Sequence, residues 1–198
     1  KDDIKRFNIV SKLNKRNMKI MMDLNGYVDI NYIKKLSKHI NPKKLYWLEE
    51  PISINSLDNI KALKKNTKFK IAGYELEQTF EGWKNLIVSK TIDIAQPDTI
   101  WSGGITECLK ICNFCNKKNF SFVPHNFASI ISLASNAFLA ARSNTKLIEV
   151  DSNENPFLWN LDKNNNFLIK NGKIHIPDDV LGIGIDIDQK KIEKYRVK

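Results

Sequence analysis

The chain has 198 residues, 42% hydrophobic and 27% charged, a globular composition long enough for one buried core. No run of about 18 apolar residues occurs and no charged-then-apolar leader opens it, so neither a transmembrane helix nor secretion is expected, and the expected location is cytoplasmic. The net charge of +10 raises nucleic acid as a partner. However, the lysines (Lys34-Lys35, Lys43-Lys44, Lys61, Lys64-Lys65, Lys117-Lys118) read as scattered over outer helix faces, so no nucleic-acid partner is expected.

In chain order, residues 3–17 read as a helix with Ile4, Phe7, Val10 and Leu13 on one side, feeding a first strand at 18–23. Asp29 is a helix cap before Ile33, Leu36 and Ile40, and Pro42 closes that unit. A second strand, Leu45-Tyr46-Trp47-Leu48, ends in Glu49-Glu50-Pro51, and the helix after it carries Leu57, Ile60 and Leu63. The third strand, 69–74, leads through Glu75 to Thr79, an N-cap for a helix bearing Phe80, Trp83, Leu86 and Ile87. The fourth, 91–96, ends at Pro97-Asp98 and passes through Gly103-Gly104 into a helix with Cys108, Cys112 and Cys115 on one face. That odd count without a nearby histidine predicts buried free thiols rather than a disulfide or a zinc site. The fifth strand, 120–123, ends at Pro124-His125 and precedes a small-residue helix over 128–142. The sixth, 146–150, contains Glu149 and opens a less regular tail.

Polar residues close every strand at intervals of roughly 25 residues, enough for one strand, one helix and two short loops. Alternating strands and helices imply parallel pairing. Six functional strand ends fit a (β/α) barrel, which gathers them around one mouth, better than an open sheet with a single switch point. The expected fold is α/β, a TIM-like barrel with about six of the eight strands such a barrel needs. The expected division is 1–150 as a partial barrel carrying the metal and catalytic residues and 151–198 as a C-terminal segment that completes the barrel.

Asp23, Glu49 and Glu75 close three consecutive strands. Three carboxylates that converge cannot all stay ionised without a cation, and oxygen-only ligation selects a hard divalent ion, Mg²⁺. Asp98, His125 and Glu149 close the next three. A carboxylate beside a histidine fixes its tautomer and raises its basicity, and Glu149 is placed to present a protonated carboxyl to a developing oxyanion.

Asp23-Leu24-Asn25, Trp47-Leu48-Glu49-Glu50-Pro51, Ile71-Ala72-Gly73-Tyr74-Glu75, Gln96-Pro97-Asp98 with Gly103-Gly104-Ile105-Thr106-Glu107, Pro124-His125-Asn126 and Leu147-Ile148-Glu149 resemble the mandelate racemase/muconate lactonizing enzyme family of the enolase superfamily. The tail from Asn171-Gly172-Lys173-Ile174 to Gly182-Ile183-Gly184 resembles that family's C-terminal segment. The resemblance implies that Asp23, Glu49 and Glu75 bind Mg²⁺, with Glu49 favoured over Glu50, and that Asn25 touches substrate. It implies that His125 and Asp98 are the catalytic dyad of the mandelate racemase-like subgroup and Glu149 its electrophilic acid. The cycloisomerase branch places a lysine near the strand bearing Asp98, where this chain reads Asp98-Thr99-Ile100-Trp101.

The activity this implies is Mg²⁺-dependent abstraction of a proton α to a carboxylate, most readily as dehydration of a sugar acid, since such acids offer a β-hydroxyl to expel. A racemase or epimerase of a 2-hydroxy acid is the alternative, and a non-catalytic, metal-binding barrel fragment the alternative of another class. The resemblance also implies an N-terminal capping domain, absent from this sequence, towards which residues 151–198 pack, and a Lys-x-Lys base upstream of residue 1. The chain therefore reads as the C-terminal part of a longer enzyme, a homo-oligomer acting on a small-molecule carboxylate.

Overall fold

Short β-branched and aromatic runs pair as parallel strands, and amphipathic stretches between them form the crossover helices. The structure is a computed structural model describing residues 2–55, 57–164 and 167–197. The side chain of Leu57, expected to face inward, lies outside the described residues.

The elements run α1 (Asp2–Leu13), β1 (Met21–Asp23), α2 (Ile30–His39), β2 (Trp47–Glu49), α3 (Leu57–Asn66), β3 (Ile71–Gly73), α4 (Phe80–Val88), β4 (Ile94–Ala95), α5 (Gly104–Lys118), β5 (Ser121–Phe122) and α6 (Ile130–Arg142). The strands form one parallel sheet in the order β1-β2-β3-β4-β5. A tail follows with α7 (Pro156–Trp159), the antiparallel hairpin of β6 (Leu168–Lys170) and β7 (Lys173–His175), and α8 (Gln189–Glu193).

The two faces of the sheet differ. Leu48, Ile71, Ala95 and Phe122 join one apolar cluster with the buried helix residues, among them Ile33, Leu36, Ile60, Leu63, Trp83 and Ile111. Trp47, Ala72, Ile94 and Val123 form a separate cluster on the other face. Helices on one face only make the sheet a barrel wall, whereas a doubly wound sheet is covered on both sides. The fold is a partial TIM-like barrel. The three cysteines are buried and free, as expected.

Both predicted caps form. Asp29 accepts a hydrogen bond from the Tyr32 N–H and Thr79 one from the Gly82 N–H, each satisfying an otherwise unpaired donor in the first turn. Helix α6 packs Ile130, Leu133, Ala134 and Ala137 against Leu158, Leu161 and Phe167 of the tail in a second cluster.

Two expectations are corrected. Helix α1 stops at Leu13 instead of reaching residue 17, because the Asn14 side chain brackets both the N–H and the carbonyl of Met18 and ends the helical path; Val10 and Leu13 are left exposed. The sixth strand, expected at 146–150, is not among the described strands. The Asn144 amide and the Thr145 hydroxyl take the carbonyls of Phe120 and Phe122 beside β5, where backbone N–H groups of a sixth strand would have bonded, and Lys146 then turns into the left-handed region.

Candidate active site

Parallel register sets the site. Asp23 pairs with Glu49 across β1 and β2, so their side chains leave the same face of the sheet about 5 Å apart at the backbone. Strand alternation puts Trp47 on that face too, and its indole N–H donates to Glu49 Oε2 at 2.8 Å. Burial pushes Glu49 up to about 7, against hydrogen bonds from Trp47 and Gln96 and with the charges of Glu149 and Asp23 adding to it. Glu50 leaves in the other direction and accepts from the Tyr74 N–H at 2.9 Å. Gly73, at φ 120°, is required beneath it, because a Cβ there would lie 2.6 Å from Glu50 Cγ and 2.9 Å from its nitrogen.

The histidine stands at the centre. His125 Nδ1 lies 2.8 Å from Asp98 Oδ2, and Nε2 lies 3.1 Å from Glu75 Oε2 and 3.8 Å from Glu149 Oε2. Asp98 is 1% exposed. Burial alone would raise its pKa, but hydrogen bonds from His125, the Ile100 N–H and the Asn136 amide hold it below the usual carboxylate range. An ionised Asp98 makes Nδ1 the donor, which leaves Nε2 facing the mouth. Burial works against the charged ring, yet the Asp98 hydrogen bond and the charges of Glu75, Glu149 and Asp98 outweigh it and lift His125 to about 9. Glu75 is pushed up to about 7 by burial, with His125 opposing. Glu149, which accepts from the Asn126 N–H at 3.0 Å, is raised by burial as well.

The structure thus brings Glu75, Asp98, His125 and Glu149 together, and seats Asp23 beside Glu49. Asn25 is folded back on Asp23: its backbone N–H and side-chain amide reach the two Asp23 oxygens, each at 2.9 Å. Asp23, Glu49 and Glu75 each have a protein partner, and among the described residues no three His, Cys, Asp or Glu side chains close into a ready-made ion cage. The donors nevertheless fit a hard divalent cation: all are carboxylate oxygens, the three feel one another's charge, and burial raises two of them.

Sequence reasoning missed Trp47, Asn126 and Asn136. Asn136 is the one amide on the buried face of α6, among Ile130, Leu133, Ala134, Ala137 and two serines, which is the signal that could have found it. Asn126 is buried with neither side-chain amide atom paired among the described residues, as is Gln96 Oε1.

The sequence profile of the enolase C-terminal domain-like family matches residues 1–191. The chain belongs to that family. It is 29% identical over 197 residues to an arabinonate dehydratase of Saccharolobus solfataricus and 28% identical over 178 residues to a D-galactonate dehydratase of Ralstonia pickettii. These matches cover 100% and 85% of this chain, and 52% and 45% of those proteins. The crystal structure of the 3,6-anhydro-D-galactonate cycloisomerase from Zobellia galactanivorans is similar with a TM-score of 0.90 at 31% identity, covering 100% of this chain and 56% of that one. The chain spans about half the length of these relatives. The resemblance drawn from the strand-end motifs and the partial-barrel fold are both borne out.

Proposed function

We propose that this chain carries the catalytic half of a sugar-acid dehydratase, an enzyme that removes the proton α to a carboxylate and expels the neighbouring hydroxyl as water. The observation that carries the reading is His125, braced by Asp98 on one nitrogen and turning the other toward Glu75 and Glu149. The dehydratase relatives support the substrate class, a small polyhydroxy carboxylate.

Asp23, Glu49 and Glu75 would hold Mg²⁺, and Asn25 lies next to that cluster to meet a substrate oxygen. When bound, the ion would supply Lewis-acid stabilisation of the negative charge that builds on the substrate carboxylate as its α-proton leaves. An unactivated α-proton is only weakly acidic, so stabilising that charge is the main requirement of the reaction.

The side chains of the chain do the rest. Nε2 of His125 is the atom that moves a proton, either taking it from the α-carbon or giving it to the departing hydroxyl. Asp98 keeps the ring in the tautomer that leaves Nε2 free for this. Glu149, which burial disposes to keep its proton, donates to the substrate oxygen on which charge develops. Loss of the α-hydrogen and the β-hydroxyl leaves an enol, which tautomerises to a 2-keto-3-deoxy acid. In the same reading residues 1–150 hold the chemistry and 151–198 brace it from behind α6.

The test incubates the full-length protein and Mg²⁺ with a panel of sugar acids in deuterium oxide. The expected result is a 2-keto-3-deoxy product from at least one of them. Deuterium uptake at the α-carbon without that ketone would make the enzyme an epimerase. The absence of both Mg²⁺-dependent ketone formation and Mg²⁺-dependent exchange with every acid of the panel would overturn the reading.

A further inference from the structure

We infer that Asn136, on α6 and sealed from the mouth, is a positioning residue that locks the Asp98–His125 pair in its working orientation; the inference rests on the function proposed above for that pair. The Asn136 side chain is fully buried. Its Nδ2 lies 3.1 Å from Asp98 Oδ1, 3.0 Å from the His125 carbonyl and 3.2 Å from Ser132 Oγ, while its Oδ1 accepts from the Thr99 N–H at 3.3 Å. One amide therefore ties the loop after β4, the loop after β5 and its own helix to a single point.

This arrangement decides which carboxylate oxygen faces the histidine. Asp98 Oδ1 is taken by the Ile100 N–H at 2.9 Å and by Asn136, which leaves Oδ2 for His125 Nδ1 at 2.8 Å. Without the amide, one backbone N–H is left to hold Oδ1, and a buried carboxylate with fewer donors has reason to rotate toward other partners. The bond to the His125 carbonyl fixes the other half of the pair, because it sets the height of the backbone from which the imidazole hangs. The residue type follows from the task. The site needs a donor to a carboxylate, a donor to a carbonyl and an acceptor for an N–H from one short side chain, and asparagine alone supplies all three at this length. A buried amide is costly unless every group is paired, and here each one is.

The test compares full-length wild type with Asn136→Leu, which keeps the approximate volume and removes every hydrogen bond. The first readout is the proton NMR resonance of the His125 Nδ1–H, which the bond to a buried carboxylate shifts far downfield and which Asp98→Asn identifies by its loss. The second is the split of kcat and KM on the acid the protein turns over. The expected result is loss or upfield collapse of that resonance, with kcat down about 10- to 100-fold and KM nearly unchanged. A lower melting temperature with the resonance and kcat both intact would reduce Asn136 to a structural residue and overturn the inference. Should Asn136→Leu not fold, Asn136→Ser, whose hydroxyl is too short to span the same gaps, is expected to lose the resonance, and its retention would overturn the inference equally. If wild type shows the resonance but turns over no sugar acid, the proposed function fails while the NMR comparison still decides the role of Asn136.

Discussion

The two ends of the sheet carry opposite charge under opposite conditions. At the C-terminal ends, Glu49, Glu75, Asp98, His125 and Glu149 are wholly or partly drawn out of water, held by one another, by Trp47 or by the backbone, and shifted from their ordinary pKa values. At the N-terminal ends of β1 to β3, Lys19, Lys43, Lys44, Lys68 and Lys70 line a cavity of about 590 Å³ around Tyr46, with Lys19 Nζ 4.2 Å from the ring centroid. These lysines are more gathered than their spread along the sequence suggests, yet all are exposed and, among the described residues, none is in an ion pair. Water screens exposed ammonium groups at little cost, whereas a desolvated carboxylate is costly unless something compensates it. Charge that the fold has taken trouble to bury is therefore the better pointer to chemistry.

The most direct way to break this contrast is to remove the one cationic side chain that the described residues place inside the acidic end. His125→Asn in the full-length protein is expected to lower α-proton exchange about 10³-fold or more while the fold persists, read by deuterium incorporation and circular dichroism. Retained exchange would mean that the proton is handled elsewhere and that the buried cluster is structural.

The second largest effect concerns the carboxylates themselves. If Asp23, Glu49 and Glu75 hold a divalent ion, Mg²⁺ at about a hundred times its dissociation constant should add about 2.7 kcal/mol of stability, a rise in Tm of roughly 5–10 °C for a chain of this size. Glu49→Gln and Glu75→Gln are expected to abolish most of that rise. Equal Mg²⁺ stabilisation of wild type and both variants, measured by calorimetry, would place the ion somewhere else.

Burial without charge sharpens the same point. Cys108 and Cys115 on α5 are pushed up to about 12 by burial in the apolar cluster, well above their ordinary value near 9. A group whose folded pKa is raised contributes stability that is fully present below its unfolded pKa, falls as the unfolded thiol ionises above that value, and is gone once pH has climbed through the folded one. From pH 7 to 9 these thiols should therefore stay protonated in the folded protein, and their contribution begins to fall only as pH approaches their ordinary value near 9. Native protein is expected to resist iodoacetamide across that window and to be alkylated once denatured, as mass spectrometry would show. Rapid native labelling at pH 8 would contradict the buried assignment.

Much of this was legible before any coordinates, for reasons that differ by element. Asp29 and Thr79 were readable as caps because a short polar side chain before an amphipathic run has one favourable use. The strand-end acids were readable because their spacing follows the β/α repeat, and parallel register then places Asp23 beside Glu49. The sixth strand was not, because Asn144 and Thr145 satisfy the β5 carbonyls with side chains, a competition invisible to hydrophobic patterning. Nor was the convergence on His125: α4, β4, α5 and β5 separate Glu75 from it in sequence, and only folding shows that this carboxylate turns to the imidazole. Asn136 escaped because a lone amide beside two serines on a helix reads as one more small polar residue and carries no period of its own.

The smallest expected effect lies at the basic end. Lys68→Gln with Lys70→Gln removes two of the five cavity lysines, and neither side chain is buried or ion-paired among the described residues. Surface substitutions of this kind change stability within about 0.5 kcal/mol, and relief of weak mutual repulsion among exposed ammoniums favours the variant slightly at low salt. Turnover should stay within about twofold of wild type, because a Debye length of about 8 Å at physiological salt shields charges at the far ends of the strands from the proton-transfer site. A large loss of activity or stability in the double variant would show that these lysines hold something the fold depends on. The contrast between the two ends would then be one of ligand sign rather than of desolvation.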